Sequence, residues 1–162
     1  MIRIIKLVLL VLGSVILQNS IVAHLSMFGS KASVPLVLTV SIALLKGSLF
    51  GEVVGFSSGL LCDLSSGGPF VGIQSLGLAL VGFLVGLMRL RFYSESIVTQ
   101  AISGFSATLF EKLISLFVLS ILLSNISSPR IRFQGLLLTA LVNSILTILI
   151  FRVLKKMLKE SD

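Results

Sequence analysis

The sequence predicts an all-α integral membrane protein, a compact bundle of six transmembrane helices of which the second is short. Three observations predict it. Only 12% of the 162 residues are charged and 56% are hydrophobic, with a mean hydropathy of +1.14; a soluble domain carries about 25% charged residues. The apolar residues fall into six separate runs. Between Gly47 and Asp63 a glycine recurs every fourth residue, at Gly47, Gly51, Gly55 and Gly59, and the series ends on Asp63 one step of four later. Four residues are about one helical turn, so these positions form one stripe on which a neighbouring helix can approach backbone to backbone.

The runs are residues 4–22, 34–46, 48–64, 70–90, 96–123 and 133–154, with 155–162 left as a basic cytoplasmic tail. They form a single domain, 1–162. The first run follows Arg3 and Lys6 as a signal peptide would. Leu17-Gln18-Asn19-Ser20 is a poor cleavage site, so the run is read as a retained first helix. The second, Val34 to Lys46, would be only about 20 Å long against roughly 30 Å of hydrocarbon, a half-helix that depends on its neighbours. Pro35 suits its first turn, where the missing N–H is not needed. Lys46-Gly47 then turns the chain into the glycine-laddered third run, and Asp63-Leu64-Ser65-Ser66-Gly67-Gly68-Pro69 turns it into the fourth. That loop lacks the lysine and the strand a phosphate-binding glycine loop needs.

Charge decides between six spans and five. With six, Arg3, Lys6, Lys46, Arg89, Arg91, Arg152, Lys155, Lys156 and Lys159 are cytoplasmic, and Lys31, Arg130 and Arg132 lie outside. Basic residues should be in excess inside. Merging 34–64 into one span gives a weaker split and strands Lys46 in mid-membrane. Both termini are therefore expected in the cytoplasm, with Arg152, Lys155, Lys156 and Lys159 anchoring the last helix on the anionic face of the lipid. The net charge of +7 is explained by this pattern, so nucleic acid is not expected as a partner.

Polar residues inside apolar runs are costly and should face protein or water. Glu52 and Asp63 lie on or beside the glycine stripe. In the fifth run Gln100, Gly104, Ala107, Glu111 and Ser115 share one face, which should point into the bundle. Glu111 and Lys112 are adjacent, about 100° apart on a helix, and are not expected to face one another. Asp63 and Lys112 fall at a similar depth, roughly 22–24 Å above the cytoplasmic ends of their helices. They are expected either to pair, or to be satisfied separately, Asp63 by its own turn and Lys112 by snorkelling. In the fourth run Gly82 and Gly86 make one small-xxx-small pair, a weak signal beside the ladder. The ladder itself has two readings: packing within the chain, or a groove for a partner's transmembrane helix.

No catalytic, cofactor or metal site is expected. His24 is the single histidine and Cys62 the single cysteine, so no internal disulfide can form. The serines occur mainly in helical runs, where bonding to the backbone is the ordinary reading. Lys112 has serines nearby, but no base held by an orienting third group accompanies it. Asn125-Ile126-Ser127 matches a glycosylation sequon beside the membrane and is read as a chance match.

The order of elements resembles a known family. Pro35-Leu36 opens the short second helix, Gly55-Phe56-Ser57-Ser58-Gly59-Leu60-Leu61-Cys62-Asp63 closes the third, Gly72 begins the fourth, and a basic tail ends the chain. This looks like the rod shape-determining membrane protein family MreD, over nearly the whole length. Its most specific part is the G-x-x-x-G-L-x-x-D stretch from Gly55 to Asp63. Family members often place an acid after the proline, where this chain has Leu36. The resemblance implies a non-enzymatic scaffold in the bacterial cytoplasmic membrane. Its implied partners are an MreC-like protein, MreB, RodA and a penicillin-binding transpeptidase, with which it guides cell-wall synthesis and keeps cells elongated. It also implies a fold similar to the membrane substrate-binding subunits of energy-coupling-factor transporters. A small-solute, vitamin-type binding subunit is the alternative function. Such subunits usually carry an alanine-x-x-x-alanine motif on the first helix, and Leu7 to Ser14 has none.

Overall fold

The computed structural model describes residues 2–22, 32–67, 71–89, 96–122 and 133–159. His24, Lys31, Arg91, Tyr93, the Asn125–Ser127 sequon, Arg130 and Arg132 lie outside the described residues, as do Gly68 and Pro69 of the turn. Every regular element among those described is helical: α1 (Ile2–Leu17), running into a π-helical turn (Gln18–Val22), α2 (Val34–Lys46), α3 (Ser48–Ser66), α4 (Ile73–Met88), α5 (Ile97–Leu122) and α6 (Phe133–Lys159). Two segments, Ile97–Val118 and Gly135–Met157, are long and apolar enough to cross a membrane; Ile5–Ser20, Val34–Lys46 and Ile73–Met88 are shorter apolar helices.

The short second helix is the centre of the molecule. Every residue from Pro35 to Leu44 is buried, and α2 packs on all five other helices. Leu36, Val37, Val40 and Leu44 join Leu78, Val81 and Val85 of α4, Ala107 of α5 and Phe151 of α6 in one apolar cluster. Leu38 and Ile42 join Val11, Val54 and Leu154 in a second. Proline in the first turn opens α2, where its missing N–H is one the helix would leave unbonded anyway. Gly47 closes it with φ +99°, a conformation L side chains rarely adopt, and its N–H bonds back to the Ala43 carbonyl at 2.9 Å. One residue therefore reverses the chain from α2 into α3.

The helices alternate in direction. Gly47 and Ser48 meet Gly86 and Arg89 at one end, and Asp63 meets Gly72 and Ser75 at the other. Gln18 and Asn143 meet the start of α2, whereas Val11 and Leu154 meet its later half. The beginning of α1 and the end of α6 thus share an end with Lys6, Lys46 and Arg89. Among the described residues every basic side-chain position except Lys112 belongs to this end, called here the basic end.

The bundle holds buried polar side chains among its apolar clusters, and its outer surface is apolar. Thr39, Ser41, Ser58, Ser103, Asn143 and Thr147 have no exposed surface at all. Leu49, Phe117, Val98, Val53 and Ile16 lie on the surface, each more than 60% exposed.

Candidate functional site

Among the described residues α3 and α4 make the most extensive helix contact, and the glycine ladder brings their backbones together. A Cβ at Gly51 would lie 2.6 Å from the Gly82 carbonyl oxygen and 2.6 Å from the Ala43 Cβ; one at Gly59 would lie 2.5 Å from the Ser75 Cα. At Gly55 it would fall on the Leu78 carbonyl. The reciprocal side uses Gly82, which meets the Gly51 carbonyl, and Gly86, which meets the Ser48 backbone. The ladder is therefore filled by the chain's own α4, with α2 behind it, and is not an open groove for a partner's helix. Gly82 and Gly86, a weak signal taken alone, are its counterpart. Gly47 leaves the stripe: it is the turn residue, and a Cβ there would meet only the Arg89 guanidinium, at 3.4 Å.

Asp63 completes the same pair. Its Oδ2 accepts hydrogen bonds from the Gly72 N–H at 2.8 Å and the Ser75 N–H at 3.2 Å. Gly72 is the N-cap of α4 and has no side chain of its own to cap with, so the carboxylate of α3 takes over that role. A carboxylate is favourable there because the first-turn N–H groups are unbonded and the helix dipole is positive at this end. The expected alternative, a pair between Asp63 and Lys112, does not form. Lys112 Nζ lies 3.2 Å from Glu111 Oε2 instead. Adjacent positions diverge by about 100° at the backbone, but the four-carbon lysine stem is long enough to fold back across that angle. The contact is one of charge, since no hydrogen bond reaches Glu111 Oε2.

The polar stripe of α5 faces inward as expected: Gln100, Gly104, Ala107 and Glu111 are buried and Ser115 partly so. The Ser115 hydroxyl donates to Glu111 Oε1 at 3.4 Å. Gly77 of α4 packs beside Glu111, whose Cγ would be in ordinary contact, at 3.6 Å, with a Cβ there. Gly104 makes room for Thr147 and Ser144 of α6. Glu52 departs from expectation. It is exposed on the surface of α3 and not turned into the bundle; the inward positions around it are taken by Gly51, Val54 and Gly55. Of the basic anchor residues, Arg152 and Lys156 are exposed and Lys155 partly so, and the helix continues through Lys159.

A second set of contacts, invisible as a motif, holds the start of α2. Ser33 makes no side-chain cap. Two neighbours supply one: Gln18 Oε1 accepts from the Val34 N–H at 2.9 Å while its Nε2 donates to the Ala32 carbonyl at 3.2 Å. Asn143 Oδ1 accepts from the Ser33 N–H at 3.0 Å, and its Nδ2 donates to the Thr108 hydroxyl at 3.2 Å. A half-helix that starts inside a bundle must have its first N–H groups satisfied there, and these amides do it. The signal available in the sequence was an Asn in the middle of the sixth run. The hydroxyls of Thr39, Ser41, Ser58, Thr108 and Thr147 each donate to the carbonyl one turn back, at 2.7–2.8 Å. Among the described residues no group of three or more His, Cys, Asp or Glu could hold a metal.

No family model, curated protein or solved structure matches the chain.

Proposed function

We propose that the chain is a non-enzymatic scaffold of the bacterial cell-elongation machinery, held in the cytoplasmic membrane by six crossings with both ends in the cytoplasm. The observation that carries the membrane part is the apolar outer surface: leucines, valines and phenylalanines cover the outside of the helices, while buried polar side chains share the interior with the apolar clusters. A soluble protein seldom exposes more than a few hundred Å² of contiguous apolar surface. The clustering of Lys6, Lys46, Arg89, Arg152, Lys155 and Lys156 at one end supports a cytoplasmic placing of that end.

The scaffold part rests on the resemblance of the Gly55–Asp63 stretch to the MreD family, and the structure gives that stretch a physical purpose. Gly55 and Gly59 bring α4 into backbone contact, and Asp63 caps it. Helices 3 and 4 are thereby locked as one unit with an apolar outer surface, which suits a protein that works by holding other membrane proteins. In this reading the partners, an MreC-like protein and the wall-synthesis enzymes, contact the lipid-facing helix surfaces and short loops, not the glycine ladder. Depletion in a rod-shaped bacterial host tests it. Rounded cells, with the tagged chain recovered beside wall-synthesis proteins, are expected. Normal rods, or tight binding of a vitamin by the purified chain, would overturn it.

A further inference from the structure

Between α1 and α3 runs an open groove of about 430 Å³, lined by Leu7, Val11, Phe50, Val53, Ser57 and Leu61 among others and almost wholly apolar. We propose that it binds one acyl chain of an anionic phospholipid from the leaflet at the basic end. The inference rests on the membrane placing given above.

Length selects the occupant. On α3 the lining runs from Leu49 to Leu61, about 18 Å at 1.5 Å per residue. One leaflet contributes about half of a 30 Å hydrocarbon core. The groove starts at the basic end, where both helices begin, and stops at Leu12 on α1 and Leu61 on α3, short of the far end of α3 at Ser66. A partner's transmembrane helix would need a surface of the full depth, whereas a lipid tail needs one leaflet. Its walls offer a tail what it needs: methyl and ring surfaces, with the one polar side chain, Ser57, already bonded to its own helix at the Val53 carbonyl.

Charge selects the headgroup. Lys6 immediately precedes Leu7 on α1, and Lys46 stands three residues before Leu49, across the Gly47 turn. Each basic residue near an anionic surface favours binding by about fivefold. A zwitterionic lipid would gain little from that position.

The test is made on the full chain. A benzophenone amino acid replaces Ser57 in cells, the membranes are irradiated, and the intact mass of the purified protein is measured. An adduct of phospholipid mass is expected; an adduct of polypeptide mass, or none, overturns the proposal. In nanodiscs of equal phosphatidylglycerol and phosphatidylcholine, native mass spectrometry should find phosphatidylglycerol retained preferentially. Ser57→Leu, which fills the groove from an exposed face, should abolish that retention, and Lys6→Gln and Lys46→Gln should each lower the preference about fivefold. Equal retention of both lipids, or unchanged retention in Ser57→Leu, would refute it. Alkaline carbonate extraction separates the two levels of failure. A chain that stays in washed membranes but carries no lipid refutes the groove alone, and one that washes off refutes the embedding.

Discussion

Adding one methyl group at Gly55 should do more damage than adding one at Gly13, although both sit in apolar helices. At Gly55 the new Cβ falls on the carbonyl of Leu78, and the third contact is the Thr39 methyl at 3.0 Å. At Gly59 the nearest atom is the Ser75 Cα at 2.5 Å, against 3.4 Å for the start of ordinary contact. The obstacle at both positions is backbone, so no rotamer change relieves it. Helix 4 has to move away by about 1 Å, and Asp63 and the Gly82–Gly51 contact move with it. Overpacking a core costs about 1–3 kcal/mol, and a rigid backbone obstacle places Gly55→Ala near the upper value, about 3 kcal/mol. A Cβ at Gly13 meets nothing within 4 Å, so Gly13→Ala should gain up to about 1 kcal/mol from helix propensity. Thermal unfolding in mild detergent, followed by helical circular dichroism, gives the comparison. Gly55→Ala should lower the midpoint clearly and Gly13→Ala should leave it unchanged or raise it. Equal midpoints for the two variants would refute the backbone-contact reasoning.

The other predictions use the same unfolding measurement. Asp63→Ala removes the carboxylate that caps the first turn of α4 and should cost about 1–2 kcal/mol, while Asp63→Asn, which keeps an acceptor, should cost less. A double-mutant cycle of Asp63→Asn with Lys112→Gln should show coupling under about 0.5 kcal/mol, as for independent sites, because the two side chains do not meet. Asn143→Leu removes the acceptor of the part-buried Ser33 N–H and the donor to the Thr108 hydroxyl and should cost about 1–3 kcal/mol. Glu52→Gln, at an exposed position, should change stability by no more than about 0.5 kcal/mol in either direction.

The sequence was most legible where a local signal sets a boundary. Pro35 and Gly47 fix the ends of α2, and the observed Val34–Lys46 coincides with the run read from hydropathy. The first apolar run reaches residue 22, but the α-helix stops at Leu17 and continues as a π-helical turn through Val22, where Gln18 reaches the start of α2. The sixth apolar run ends at residue 154, yet α6 continues to Lys159: Lys, Leu and Met are good helix formers, and loss of hydropathy does not stop a helix. The glycine ladder and the α5 stripe were legible as faces because period alone defines a face. What each face meets was not legible, because that depends on residues far along the chain. Depth and local turn chemistry offer Asp63 either Lys112 or its own turn, and it caps the next helix instead. Gln18 and Asn143 carry no spacing signal at all, since their roles exist only once α2 is buried between α1 and α6.

The alternation of sides along the chain, with the C-terminal end on the side of Arg89, can be checked most directly by cysteine accessibility. Cys62 is buried and is first replaced by Ala; single cysteines are then introduced as Ser66→Cys at one end of the bundle and Arg89→Cys and Lys156→Cys at the other. A membrane-impermeant maleimide added to intact cells should label Ser66→Cys alone, and the other two should label only after the membrane is opened. Labelling of Arg89→Cys and Lys156→Cys from opposite sides, or of Ser66→Cys and Arg89→Cys from the same side, would contradict the arrangement.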